Sequence, residues 1–561
     1  EIMYHPRSPV GTETNVAAGS GAFEYIEFQN RGLDTLGLAG LRLVGGVTFD
    51  FSQSAISTLE PDAFVLVVRD LRAFKVRYPD WSSLNIAGEF QTFDSFPIQN
   101  LSDAGETLVL RDVQGSNIVS VTYNDARDWP QSADGAGHSL VPTELTMQSG
   151  GELDYSAHWR ASAFLDGSPG QADPILPQTL VLNEILAHTD IDDFFYPDYD
   201  SNDGIELYNT SLSSVSLNHW YLSDDASVLT KWAIPSNLSV AANAWHWFEE
   251  ILDFHAPITN GFGLSKDGET VYLSYLPGGV SNRVVDAYRF KGQLNGISVG
   301  RFPDGAADWF ALNPTTNAAN AAPLPHVLFS EIMYHPAPAA TQSVDVADLE
   351  YIEILNPTDQ AAPLWTVAGT WRIDGGVNFV FPANVVLGAH EYAIIVPFDP
   401  LKDTVARINF NATYSLTNGQ VRMLGPYKGQ LNNGTERIAL EMPQEPDAPS
   451  TQVSWVLVDE IVYYDHLPWP VEADGGGSPL QRVLTPNSGL SPASWFNGFV
   501  GTPGTPGTPL AIVTPHHGTR YFCPANEAIT IAFDAQQISG QVHSVTFFDG
   551  SNVICVATQS P

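Results

Sequence analysis

The chain reads as short runs of alternating apolar and polar positions, broken by Gly, Pro, Asn and Asp. FVLVV (64–68), TLVLRD (107–112), YAIIV (392–396) and WVLVDEIVYY (455–464) are rich in β-branched and aromatic residues and bounded by turn formers, the mark of strands. In EYIEILN (350–356) the period-two alternation turns Ile352 and Ile354 toward a core and Tyr351, Glu353 and Leu355 outward. Helical spacing is nearly absent. FVLVVRDLRAFKVRYP (64–79) comes closest and predicts one short helix. Closely spaced strands without long amphipathic segments predict an all-β protein of sandwich type.

The pattern itself repeats. EIMYHP occurs at 1–6 and again at 331–336, and the second occurrence opens an ordered series: LEYIEILNP (349–357), WRIDGGVNFVFP (371–382), EYAIIV (391–396), TERIALEMP (435–443), WVLVDEIVYYDHLPWP (455–470) and DGGGSPLQR (474–482). The first copy matches it with FEYIEFQN, LRLVGGVTFDF, AFVLVVRD, GETLVLRD, IVSVTYNDARDWP and DGAGHSL. A divergent copy between them runs LVLNEILAH, DGIELYN, WYLSDD, GETVYLSY, RVVDAYRF and NGISVGRFPDG. Internal repetition at this period predicts three sandwich domains, at 1–172, 178–322 and 325–505. GTPGTPGTP (501–509) reads as an extended spacer before a further strand series at 510–561, too short to close a sandwich. The first copy lacks the apolar lead-in of the other two, so the chain is expected to begin inside a strand.

Charge narrows the partners. Only 16% of residues are charged, and 63 acids against 24 bases leave a net −39. Such a polyanion is repelled by phosphate backbones and anionic lipid, which disfavours nucleic acid and membrane surfaces. Divalent cations and neutral glycans remain suitable. No stretch approaches the roughly 18 uninterrupted apolar residues of a spanning helix. Cys523 and Cys555 are the only cysteines; they form a candidate disulfide or remain two buried thiols.

The NEIL/SEIMYHP opening, the EYIEL-like strand with its following Asn (Asn30, Asn209, Asn356), the Trp-led strand ending in an acid and Gly, and SVGRFPDG…W (298–309) together resemble lamin tail domains in their bacterial form. The first copy departs from that pattern at LRLV (41–44). Residues 511–561, on VTFFDGSNVI, resemble a bacterial immunoglobulin-like domain. The resemblance implies tandem immunoglobulin-like β-sandwiches that bind, scaffold or assemble, and supplies no catalytic residues.

Two motifs suggest chemistry. Gly296-Ile-Ser298-Val-Gly300 matches the nucleophile elbow GxSxG, but that turn needs a helix after it, and Pro303 and Gly305 oppose one. His5, His188 and His335 recur after the first strand without a second His nearby. In FYPDYDSNDGIE (195–206), Asp198, Asp200, Asn202, Asp203 and Glu206 offer oxygen ligands for calcium, against a plain solvated acidic loop. A looser cluster carries Asp345, Asp348, Glu350 and Glu353. Trp and Tyr in WHWFEEILDFH (245–255) and YYDHLPWP (463–470) suit either sugar stacking or packing.

These features lead to the expectation of a non-catalytic, extracellular or cell-surface structural or adhesive protein, self-associating or bound to other matrix proteins. The alternatives are accessory modules of a larger secreted enzyme and a glycan-binding protein.

Overall fold

A computed structural model describes residues 1–91, 100–143, 152–190, 199, 201–256, 261–337, 347–417, 419–446, 453–483, 488–498 and 501–506, with four short strands between 511 and 557. The fold is all-β and built of several sandwiches. In the first repeat one sheet runs Trp159–Ala161, Leu140–Pro142, Ile2–Met3, Tyr25–Gln29, Phe64–Val68, Ile86–Glu89. The third repeat has the same order: Trp495–Asn497, Leu480–Arg482, Leu328–Met333, Tyr351–Leu355, Tyr392–Ile395, Arg422–Leu424. In both, the last strand pairs parallel and the others antiparallel. The second repeat keeps five of these positions, Trp309–Leu312, Ser298–Arg301, Leu180–Leu186, Gly204–Asn209 and Trp245–Glu249. An antiparallel second sheet completes each sandwich, for example Asn117–Asn124, Gly105–Arg111, Arg42–Gly45 and Phe49–Asp50 in the first.

Each core lies between its two sheets. Ile352 and Ile354 are buried there with Trp371, Ile438 and Trp469, as their alternation predicts. The opposite face is not open. Tyr351, Glu353 and Leu355, expected outward, are also buried. A helix, Thr404–Thr413, lays Phe410 against Tyr351, with ring centroids 5.7 Å apart. Its counterpart in the first repeat, Leu71–Arg77, lies within the segment expected to be helical, and Asp70 caps it by accepting from the Arg72 and Ala73 amides. Phe74 of that helix meets Tyr25 edge-on at 5.9 Å. The third-repeat helix escaped the sequence reading because, of its ten residues, only Phe410 is fully buried.

The second repeat solves the same problem differently. Gly204 stands at the register position of Tyr25 and Tyr351, and a side chain there would run into the Trp247 indole. Among the described residues, Trp245–Glu249 carries no strand on its outer side. Its outward amides are instead taken up by side chains: Trp247 N–H donates to Asn317 Oδ1 (2.9 Å) and Glu249 N–H to Asp253 Oδ2 (3.0 Å). Side-chain capping of an edge blocks further strand addition.

The Asn after each second strand has a clear task. Asn356 Nδ2 donates to the carbonyls of Gln360, Leu387 and Gly388, while its Oδ1 accepts from Thr358 N–H. Asn209 and Asn30 make the corresponding bonds. Asn356→Ala is expected to destabilise the third repeat by about 2 kcal/mol, since buried carbonyls lose their donor. Asn356→Asp, which cannot donate, should do no better; chemical denaturation of both variants checks this.

The repeats are not strung out on linkers; they touch around a common junction. Between the first and second, the chain at Leu165 donates to Asn282 O (2.9 Å), and Ala136 packs with Tyr272 and Val284. Between the second and third, Gly292 bridges to Val456, so close that a Cβ would sit 2.6 Å from the Trp455 carbonyl oxygen. Between the first and third, the Tyr155 ring lies 4.9 Å from Tyr464 and is counted among the buried residues of the third core. In the C-terminal region, Ala511–Thr514 pairs with Ala532–Asp534, and Val545–Asp549 with Asn552–Ala557. Cys555 lies in the last of these strands; Cys523 lies outside the described residues.

Candidate functional site

Two polar constellations stand out: a charged junction between the repeats, and a pair of facing carboxyls in each repeat. At the junction Arg127, in the loop after Asn117–Asn124, reaches both other repeats. Its Nη1 binds Glu460 Oε2 at 2.9 Å, its Nε donates to the Arg289 carbonyl at 2.9 Å, and its Nη2 to Tyr288 Oη at 3.2 Å. Arg437 Nε shares Glu460 through the other oxygen at 2.6 Å. Burial alone would raise the Glu460 carboxyl, yet Arg127 and Arg437 hold it below the usual range. Arg289 in turn binds Asp134 Oδ2 at 2.6 Å and the Asp125 carbonyl at 2.9 Å. Asp134 Oδ1 holds His5 Nδ1 at 2.6 Å. This bond outweighs the opposing effect of burial and, with nearby Asp103, leaves His5 above its ordinary pKa.

The recurrent histidines are therefore placed by hydrogen bonds. His335 meets Asp474 as His5 meets Asp134, and His188 Nδ1 binds the Gln293 carbonyl at 2.7 Å. Among the described residues no group of three or more His, Cys, Asp or Glu side chains is arranged to hold a metal ion. Of the calcium candidates, Asp198 and Asp200 lie outside the described residues, as does Asp345 of the looser cluster. Asp203 Oδ1 accepts from Thr189 Oγ1 at 2.7 Å, and Asn202 N–H donates to that same hydroxyl at 2.8 Å. Glu206 belongs to a different arrangement on the sheet.

That arrangement appears three times. Glu184 lies directly across from Glu206, and Glu331 across from Glu353; Glu1 and Glu27 take the same places in the first repeat. Each couple is bound by the segment that ends its repeat, hereafter the strap. Ser168 N–H and Oγ reach Glu1 at 3.1 and 2.5 Å, and Gly170 N–H donates to Glu27. Thr315 Oγ1 donates to Glu184 Oε2 at 3.0 Å, and Asn317 N–H to Glu206 Oε2 at 2.8 Å. Thr502 N–H and Oγ1 reach Glu331 at 2.8 and 2.9 Å, and Gly504 N–H donates to Glu353 at 2.6 Å. The segment 501–506, expected to be a spacer, thus belongs to the third sandwich. The sequence held a signal for it: Ser168-x-Gly170, Thr315-x-Asn317 and Thr502-x-Gly504 close the three copies in register.

Burial dominates the behaviour of these acids. It pushes Glu27 and Glu206 up to about 8 and Glu331 to about 7, and lifts Glu353 well above the carboxylate range with Glu331 adding to the rise. Ser298, the centre of GxSxG, is fully buried and donates to Glu184 from within strand Ser298–Arg301; no helix follows it. Its counterpart in the first copy is Ser139, while Pro479 takes the place in the third. The candidate stacking aromatics are largely packed: Tyr463 and Trp469 in the third core, Tyr464 against the first repeat, Trp247 over Gly204. Among the described residues no helix is long and apolar enough to cross a membrane.

No family model matches the chain, and no curated protein matches it. A solved structure of a DUF4876 family protein from Bacteroides thetaiotaomicron aligns with 55% of this chain and 95% of its own, at 11% identity and a TM-score of 0.22. So distant a likeness carries no argument about activity, and the reading of function rests on the residues described above.

Proposed function

We propose that this protein is a non-catalytic structural or adhesive scaffold of a bacterial surface or extracellular matrix, built from lamin-tail-type sandwiches. The observation that supports it is the Arg127 junction, where one guanidinium engages the side chain of Glu460 in the third repeat and both a carbonyl and a hydroxyl of the second. A chain that invests buried charge in fixing three sandwiches together presents a defined outer surface for lateral contact. The strongly acidic composition favours partners that are neutral, cationic or bridged by divalent cations. If calcium does bridge copies, the acidic segment 195–206 is where it binds.

Electron microscopy of the full protein, with and without EDTA, tests this. The expected result is compact three-lobed particles that associate into ordered filaments or sheets, with EDTA dissolving them if calcium takes part. Dispersed particles in both conditions would overturn self-assembly and favour the reading as accessory modules of a larger secreted enzyme.

A further inference from the structure

The three carboxyl couples differ from the ion pairs at the junction in one respect: no Lys or Arg among the described residues forms a salt bridge with any of the six. Their donors are backbone amides, hydroxyls and the side-chain amides of Asn183 and Gln481. Directly opposed residues of an antiparallel pair hold their Cβ atoms about 5 Å apart. Glu184, Glu206, Glu331 and Glu353 are each at most 1% exposed. Two carboxylates so close, out of water and without a cation, cannot both be ionised at neutral pH.

We propose that the couples of the second and third repeats each share a single proton, one carboxyl donating to its partner's carboxylate, and that this proton keeps the strap closed. Loss of the proton leaves two like charges under the strap, which opens to let water reach them. The device is a latch that releases on the alkaline side.

The surroundings agree with this sign. Glu331 and Glu353 are faced by the hydroxyls of Tyr351 on their own sheet, Tyr392 on the neighbouring strand and Tyr414 beyond the helix, all raised by burial and by these acids. Glu184 and Glu206 are faced by Asp304, which accepts from Asn183 Nδ2 at 2.9 Å and adds a further negative charge. Glu1 is less buried than the other five acids, so the second and third repeats give the cleaner test. A carboxyl whose folded pKa is raised contributes stability that is complete below its unfolded value of 4.5 and is lost as pH rises through its folded value, about 7 for Glu331 and about 8 for Glu206.

The experiment is hydrogen exchange on the full chain, read by mass spectrometry over 313–320 and 501–506 and corrected for intrinsic exchange. Strap protection should hold to about pH 4.5, then fall by up to about tenfold per pH unit and level off above about pH 7 in the third strap and about pH 8 in the second. Glu353→Gln, which keeps the shape and removes the ionisable group, should level that fall in the third strap while the second strap still opens. Should E353Q not fold, Glu206→Gln makes the converse test. An infrared band of protonated carboxyl, present at neutral pH in the wild type and reduced in either variant, reports the shared proton itself. Straps equally protected across this range, a variant strap that opens like the wild type, or no protonated-carboxyl band at neutral pH would each overturn the proposal.

Discussion

Arg127→Ala is expected to destabilise the packed arrangement by about 3 kcal/mol and to let the repeats separate. The size follows from what is left behind. Glu460 has a side chain only 4% exposed and keeps Arg437 as a bonded cation, with Lys291 further off. Breaking a buried pair costs more than never having made it, because the stranded charge cannot return to water without opening the interface. Without the second guanidinium the loss would stand at the upper end, near 5 kcal/mol. The variant also deprives Tyr288 and the Arg289 carbonyl of a donor. Small-angle scattering should show a larger radius of gyration, and urea unfolding an earlier first transition. Adding Glu460→Gln to Arg127→Ala should recover part of the loss. An unchanged radius and midpoint would remove Arg127 from its role as the tie between repeats.

Mild acid should open a second contact. His138 is completely enclosed between the first and second repeats; its Nδ1 donates to Ser162 O at 2.7 Å and its Nε2 accepts from Val284 N–H at 2.9 Å. The ring is thus neutral, and burial pushes its pKa down from 6.5 to about 4. A proton added at Nε2 would face the Val284 N–H, donor against donor. The sign follows: a depressed folded pKa gives stability that is complete above the unfolded value and is lost as pH falls toward the folded one. Between about pH 6.5 and about pH 4 the contact should weaken by about 3 kcal/mol. Exchange protection at Val284 and Leu165, followed on acidification, checks it. His138→Gln should remove this acid dependence; if it persists unchanged, other groups carry it.

Much of the fold was legible because sandwiches announce themselves through period-two strands and because the pattern came three times. Ile352 and Ile354 could be assigned to the core from alternation alone. Tyr351, Glu353 and Leu355 could not, since alternation tells the two faces of a strand apart but not what later covers the second one. That covering comes from Phe410 and from Thr502 and Gly504, far along the chain. The spacer reading of GTPG failed for a related reason: composition describes an isolated segment, and here the segment's amides are fixed by two carboxyls. The recurrent glutamates were visible as motifs in each copy, yet nothing local tells that Glu184 and Glu206 meet across a strand pair. The junction was least legible of all, because Arg127 lies in a loop of the first repeat and its partners in the other two.

The straps also set an order of events during synthesis. The groups that close the sandwiches emerge 167, 131 and 171 residues after the first glutamate of each couple. A ribosome or a secretion channel delivering the chain from its N-terminus therefore presents each repeat unfinished until its final residues appear. Until then a carboxyl couple and a sheet face remain uncovered, a condition that favours holding the nascent chain apart from its neighbours. Completion arrives in one step per repeat, at its very end, and a cut just before any strap would return that repeat to its half-made state.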